Sequence, residues 1–266
     1  MGARQLVAIP LLLGAVMLAA GLLLTPGSES HAVVLRIGNE SGKILGLAGC
    51  VAAVLAFDPG DYLRGAWALL AGCFVLMLVR DTTLLPPLQA ALGSAAIPFG
   101  AAVLMCANAL LVIGSCRLAR TWSAAQLSDT GNTRRLVFLV VLVLGMVIAI
   151  PSTMSDARSA LEGDWTMIPN MASRFGDIFS LALVGPVVVT ARALRGGTLT
   201  WIWTLLAAAL VSWVAFDVSL LGDFVHHPER RAVVELFRAL ACGFTMAAGF
   251  AQRQAIVPVL EAAGAD

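Results

Sequence analysis

Charge is scarce in this chain. Asp, Glu, Lys and Arg make up 12% of its 266 residues, about half the roughly 25% of a soluble globular domain. Such poverty excludes a water-exposed surface over most of the molecule. The 17 basic and 16 acidic residues nearly cancel, so there is no basic stripe of the kind nucleic acid requires, and no nucleic-acid partner is expected. The chain has three histidines, none inside an apolar segment, which argues against axially ligated haem. Its sole lysine, Lys43, lies too near the start of its apolar segment for a retinal Schiff base.

Catalytic signatures are missing as well. No GxSxG elbow, HExxH helix or Gly-rich phosphate loop occurs, and each of those chemistries depends on its spacing. The chain is therefore not expected to be an enzyme. The five cysteines, Cys50, Cys73, Cys106, Cys116 and Cys242, fall in apolar segments without a CxxC pair and read as small buried hydrophobes. No cofactor is expected.

What is present is hydrophobic length. Hydrophobic residues make up 59% of the chain, at a mean hydropathy of +0.90. A membrane-spanning helix needs roughly 20 mostly apolar residues, and the stretches 6–25, 40–57, 62–80, 95–116, 135–154, 171–192, 199–222 and 231–253 come up to that length or near it. The expected fold is all-α, a polytopic integral membrane bundle of about eight transmembrane helices in one domain, 1–257, with a short tail at 258–266. The stretch 40–57 is short and begins with Glu40 and Lys43, so a re-entrant or interfacial segment remains open there and would leave seven spans. The first run follows Arg4 and resembles a signal peptide, but it is too long and lacks an A-x-A site, so it reads as a retained anchor.

With eight spans both termini share a side. That side carries the arginine cluster from Arg117 to Arg135, and the positive-inside rule makes it cytoplasmic. The expected location is a bacterial cytoplasmic membrane. The sizeable loops are 26–42, 81–94, 117–133 and 155–170, none able to bury a core of its own. Pro98 and Pro186 fall within spans, where each favours a kink. Gly46 with Cys50, and Gly243 with Ala247, recur at the four-residue spacing that lets helices approach closely. Trp201 and Trp203 fit the aromatic belt of an inner interface.

Threading these spans gathers the charged side chains at one depth. Arg80 ends the third segment, Arg174 and Asp177 begin the sixth, Asp217 closes the seventh, and Glu235 and Arg238 open the eighth. All fall in the outer half. Charges in hydrocarbon face a bundle interior and a partner, so these six are the candidate ligand-binding residues. Arg174 with Asp177, and Glu235 with Arg238, stand three apart and can meet along a helix face; Asp217 has no local partner, and Arg238 is its natural one. In the inner half only Asn108 and Ser115 stand out. His31, His226 and His227, with Asp223 and Glu229, fall in outer loops, but adjacent loop histidines point apart and no metal site is assigned.

Asp61-Tyr62-Leu63-Arg64-Gly65-Ala66-Trp67, followed by an apolar run to Arg80-Asp81, resembles the Arg-x-Ala-Trp helices in multi-helix N-terminal sensor regions of bacterial histidine kinases and diguanylate cyclases. The last two spans, with Asp217 and Asp223 before a loop and Glu235-Leu236-Phe237-Arg238 after it, are similar to the closing helix pair of those regions. The resemblance implies a sensor module, here without the kinase or cyclase domain, so that its signal passes to a protein partner. Three functions follow: a stand-alone membrane sensor or regulatory subunit with an outer-leaflet pocket for a small-molecule or lipid-like ligand; a transporter or channel component using the same charges; or a structural scaffold in a membrane complex. A through-membrane path expects polar groups at every depth and often an internal repeat, and the sequence displays neither.

Overall fold

In lipid an apolar run is stable as an α-helix because every backbone N–H and C=O is then paired within the segment. The computed structural model describes residues 3–25, 28–124, 131–193, 198–220 and 228–263, and every regular element among them is helical. In chain order these are α1 (Ala3–Leu23), α2 (Glu29–Val54), α3 (Tyr62–Thr83), the short α4 (Pro86–Leu92), α5 (Ala96–Ala124), α6 (Gly131–Leu161), α7 (Met167–Ala193), α8 (Thr198–Ser219) and α9 (Pro228–Ala263). Seven of them, α1, α3 and α5 to α9, are long and apolar enough to cross a membrane. The protein is an all-α integral membrane bundle.

Helix α2 departs from expectation. From Glu29 onward the expected loop 26–42 is helical: a continuous helix begins there and runs 26 residues. Ser28 caps it, its hydroxyl accepting from the His31 N–H at 3.2 Å, and Glu29 in the first turn favours the positive end of the helix dipole. His31, Leu35, Gly42, Lys43, Gly46, Gly49, Cys50 and Ala53 form one buried stripe, the spacing of an amphipathic helix. Polar residues along its first half keep α2 out of the set of apolar spans, although 26 residues would reach about 39 Å at 1.5 Å per residue. Other ends move too. Helix α5 continues to Ala124, α6 to Leu161 and α9 to Ala263, so much of the expected loops 117–133 and 155–170, and most of the expected tail, is helical.

Six helices form a closed circuit of neighbours, in the order α2, α3, α5, α7, α8, α9 and back to α2. Helix α1 packs outside against α9, and α6 outside against α7. This order decides which side chains meet lipid. The α6 span is only 11% buried, whereas the spans of α7 and α9 are each 61% buried.

Small residues set the closest approaches. Backbones of α2 and α9 touch at Gly49 and Gly249, where neither position has room for a Cβ. Gly46 faces the ring of Phe74 on α3, and a Cβ at Gly243 would stand 2.9 Å from Pro10 Cα on α1. Both expected small-residue contacts therefore exist. Trp67 is completely buried in the adjoining core with Phe74, Leu118 and Leu205. Pro98 differs from expectation: it is the third residue of α5, where the N–H it lacks has no intrahelical acceptor, so it removes no helix bond. Prolines inside helices include Pro10 in α1, Pro151 in α6, Pro186 in α7 and Pro258 in α9. Trp201 is exposed, but Trp203 is buried in the core rather than placed in a belt.

Candidate functional site

Five circuit helices bring a charged turn to the same level, and α6 adds a sixth from outside. Tyr62 to Arg80 on α3 and Thr198 to Asp217 on α8 each climb about 27–29 Å at 1.5 Å per residue. That is close to the roughly 30 Å thickness of a hydrocarbon core, so on these two helices the level lies toward one end of the span. Alternating helix direction does the rest: the turns come from the ends of α3, α6 and α8 and from the first halves of α7 and α9. Helix α2 reaches the same level at mid-length, through Lys43.

These turns surround a cavity of about 540 Å³. Lys43, Arg80, Arg174 and Arg238 line it together with Asp81, Asp156, Asp177 and Asp217, and Met77, Trp213 and Phe216 supply apolar wall. Five of the six residues expected from the sequence thus meet in one cavity. The sixth, Glu235, is buried behind it and holds Arg238, Nη1 to Oε2, at 3.0 Å.

The pairing differs from the sequence expectation in two respects. Arg174 does not pair with Asp177 one turn along; it donates to Asp156 of α6 at 3.1 Å. Helices α6 and α7 run antiparallel and pack directly, which places Asp156 opposite Arg174. Asp217 does not pair with Arg238 either. That guanidinium lies over the Phe216 ring, 4.4 Å from its centre, and its charge is taken by Glu235. Lys43 is buried against Asp81 and has Glu40 at 4.0 Å, while Arg80 has Asp81 at 3.8 Å.

Asp177 and Asp217 join none of the described ion pairs. Their relative exposures are 4% and 7%, and their carboxyls lie within hydrogen-bonding reach of each other. One oxygen of Asp217, Oδ2, has no hydrogen-bond partner. The cations whose charge reaches Asp217 are Arg174 and Arg238, both committed to other acids. Two like charges at about 4 Å repel by about 4 kcal/mol even at an effective dielectric of about 20. The cavity therefore contains four engaged cations and two carboxyl groups without one.

Asn108, read from the sequence as an inner-half residue, belongs to this level as well: its Oδ1 accepts from Ser173 of the cavity wall at 3.4 Å. Lys43, Asp81, Asp156 and Asn108 are the members that sequence reasoning left out of the site. Lys43 carries a signal, being the only lysine and lying inside an apolar stretch; Asp156 falls in the expected loop 155–170 because the apolar run 135–154 ends before it, whereas α6 continues to Leu161.

Below the polar level the described circuit holds far less open space. A second cavity of about 30 Å³, room for about one water, is lined by Leu70, Phe74, Leu111, Leu118, Leu206 and Leu210 among others, with Ser115 and Thr245 as its only polar walls. Met77 and Trp213 border both cavities.

Histidine placement also departs from expectation. His31 is in helix α2 rather than in a loop, and is 2% exposed. His226, His227 and Asp223 lie outside the described residues, as does the Glu229 side chain. Among the described residues no group of three or more His, Cys, Asp and Glu is placed to hold a metal ion. No protein-family model, curated protein or solved structure matches this chain.

Proposed function

We propose that the protein is a stand-alone integral membrane sensor or regulatory subunit. In this reading the cavity around Asp177, Asp217 and Arg238 binds a small ligand near the outer face of a bacterial cytoplasmic membrane, and the signal passes to a partner chain. The observation that carries it is the contrast between two neighbouring cavities: about 540 Å³ of charge-lined space beside one of only about 30 Å³ with a mostly apolar lining. A binding pocket needs one mouth. A solute path needs two, and polar groups between them.

The signalling step rests on helix placement. Seven helices contribute to the cavity wall, while α2 and α9 are fixed to each other by backbone contact at Gly49 and Gly249. A ligand that favours one spacing of α7 and α8 against the α2–α9 pair shifts the bundle between two states by its difference in affinity for them. In this reading the readout is a change at helix ends that a partner chain can feel.

The protein in nanodiscs is tested against small polar molecules of every charge class: amines, zwitterions, carboxylates and phosphates. The expected result is saturable thermal stabilisation by one class and no flux of that class in proteoliposomes. Saturable flux abolished by Asp217→Asn would move the assignment to a transporter.

A further inference from the structure

Resting on that reading, we infer that the ligand carries an ammonium group, which seats between Asp177 of α7 and Asp217 of α8. The charge pattern of the cavity leads there. Each lining cation already has a carboxylate within 4.0 Å: Lys43 has Asp81 and Glu40, Arg80 has Asp81, Arg174 has Asp156 and Arg238 has Glu235. Asp177 and Asp217 have no such partner among the described ion pairs, though both are more than nine-tenths buried and line the same space. The vacant capacity of the site is thus negative charge and, apart from the unpartnered Nε of Arg174, hydrogen-bond acceptors. An ammonium group supplies a positive charge and up to three donors.

Geometry narrows the ligand further. Oδ2 of Asp217 lacks any hydrogen-bond partner, so an N–H directed at it meets an acceptor already stripped of water. Trp213 and Phe216 stand in the same wall, edge to face with centroids 5.8 Å apart, and an aromatic wall favours a cation. The Phe216 face is covered by Arg238, which leaves Trp213 as the ring open to a ligand. The volume suits a molecule of metabolite size rather than a bare ion. A small primary amine or diamine fits these requirements, and an anion does not: it would meet cations already engaged and two carboxyls that repel it.

The experiment measures binding to the protein in nanodiscs. Probes are butylamine, 1,4-diaminobutane, tetramethylammonium, succinate and inorganic phosphate, read by thermal stabilisation and by equilibrium dialysis of radiolabelled 1,4-diaminobutane. The primary amines are expected to bind saturably, with affinity reduced about 10- to 100-fold in Asp217→Asn and in Asp177→Asn, the size of a lost charge-assisted hydrogen bond. Dialysis on the unsubstituted protein keeps the inference falsifiable should either variant fail to fold. Binding confined to succinate or phosphate would overturn the ammonium assignment and leave the pocket reading standing. Amine binding undiminished in both variants would overturn the assignment to these carboxyls. Binding of no probe, together with no stabilisation across the wider panel, would remove both readings.

Discussion

The two halves of the helix circuit are built on opposite principles. At one level Lys43, Arg80, Arg174, Arg238 and their acids line open space; below it, Leu70, Phe74, Leu118, Leu206 and Leu210 close around almost none. The polar half holds its shape through ion pairs that brace an open volume. The apolar half does so by contact, down to touching backbones at Gly49 and Gly249. In lipid there is little hydrophobic drive between helices, so close packing of small residues is what joins them. The lower half therefore supplies the rigidity against which an upper cavity can open.

The largest effect should come from forcing the apolar half apart. Gly249 lies on the Gly49 backbone with no space for even one added carbon. Gly249→Val must separate α2 from α9 or leave them undocked. The expected outcome is loss of the monodisperse species in detergent, read by size-exclusion chromatography and protease sensitivity. A folded variant of ordinary stability would show that the lower half is not the rigid part.

Next in size is the upper half's bracing. Arg174 and Asp156 are buried to 8% and 18% side-chain exposure and joined at 3.1 Å. Removing one member of a buried pair leaves the other uncompensated, at a cost of about 3 kcal/mol. Arg174→Gln should lower the thermal midpoint clearly, and the double variant Asp156→Asn with Arg174→Gln should recover part of the loss. If the single and double variants are equally destabilised, the pair is not what holds α6 to α7 at this level.

The contrast between the halves was partly legible in the sequence. Hydrophobic run length located the helices, since a chain in lipid has no alternative way to pair its backbone, and depth counting gathered Arg80, Arg174, Asp177, Asp217, Glu235 and Arg238 at one end. The partners were not legible. Pairing at i, i+3 holds for Glu235 and Arg238 but not for Arg174, which an antiparallel neighbour supplies with Asp156, and the expected pairing of Asp217 with Arg238 across neighbouring helices does not form. Helix α2 was misjudged for a related reason: hydropathy measures lipid exposure, and α2 turns a stripe from His31 to Ala53 toward other helices, which lets it carry charges that a hydropathy reading takes for a loop. Which helix lies outside the circuit was equally hidden, since α6 and α7 both read as spans yet differ in burial.

The smallest expected effect is the sharpest check on one-endedness. Ser115 is 3% exposed in the apolar half and lines the small lower cavity. If a solute or proton route passed below Trp213, this hydroxyl would be among the few groups able to serve it. If the lower half is only packing, Ser115→Ala removes one oxygen next to a space of about 30 Å³ and changes stability by no more than about 0.5–1 kcal/mol, a modest value for a substitution that breaks no network. Thermal midpoint and amine affinity should both stay within error of the unsubstituted protein. A loss comparable to that of Arg174→Gln, or a changed amine affinity, would connect the two cavities functionally and make the polar level the mouth of a path instead of a closed site.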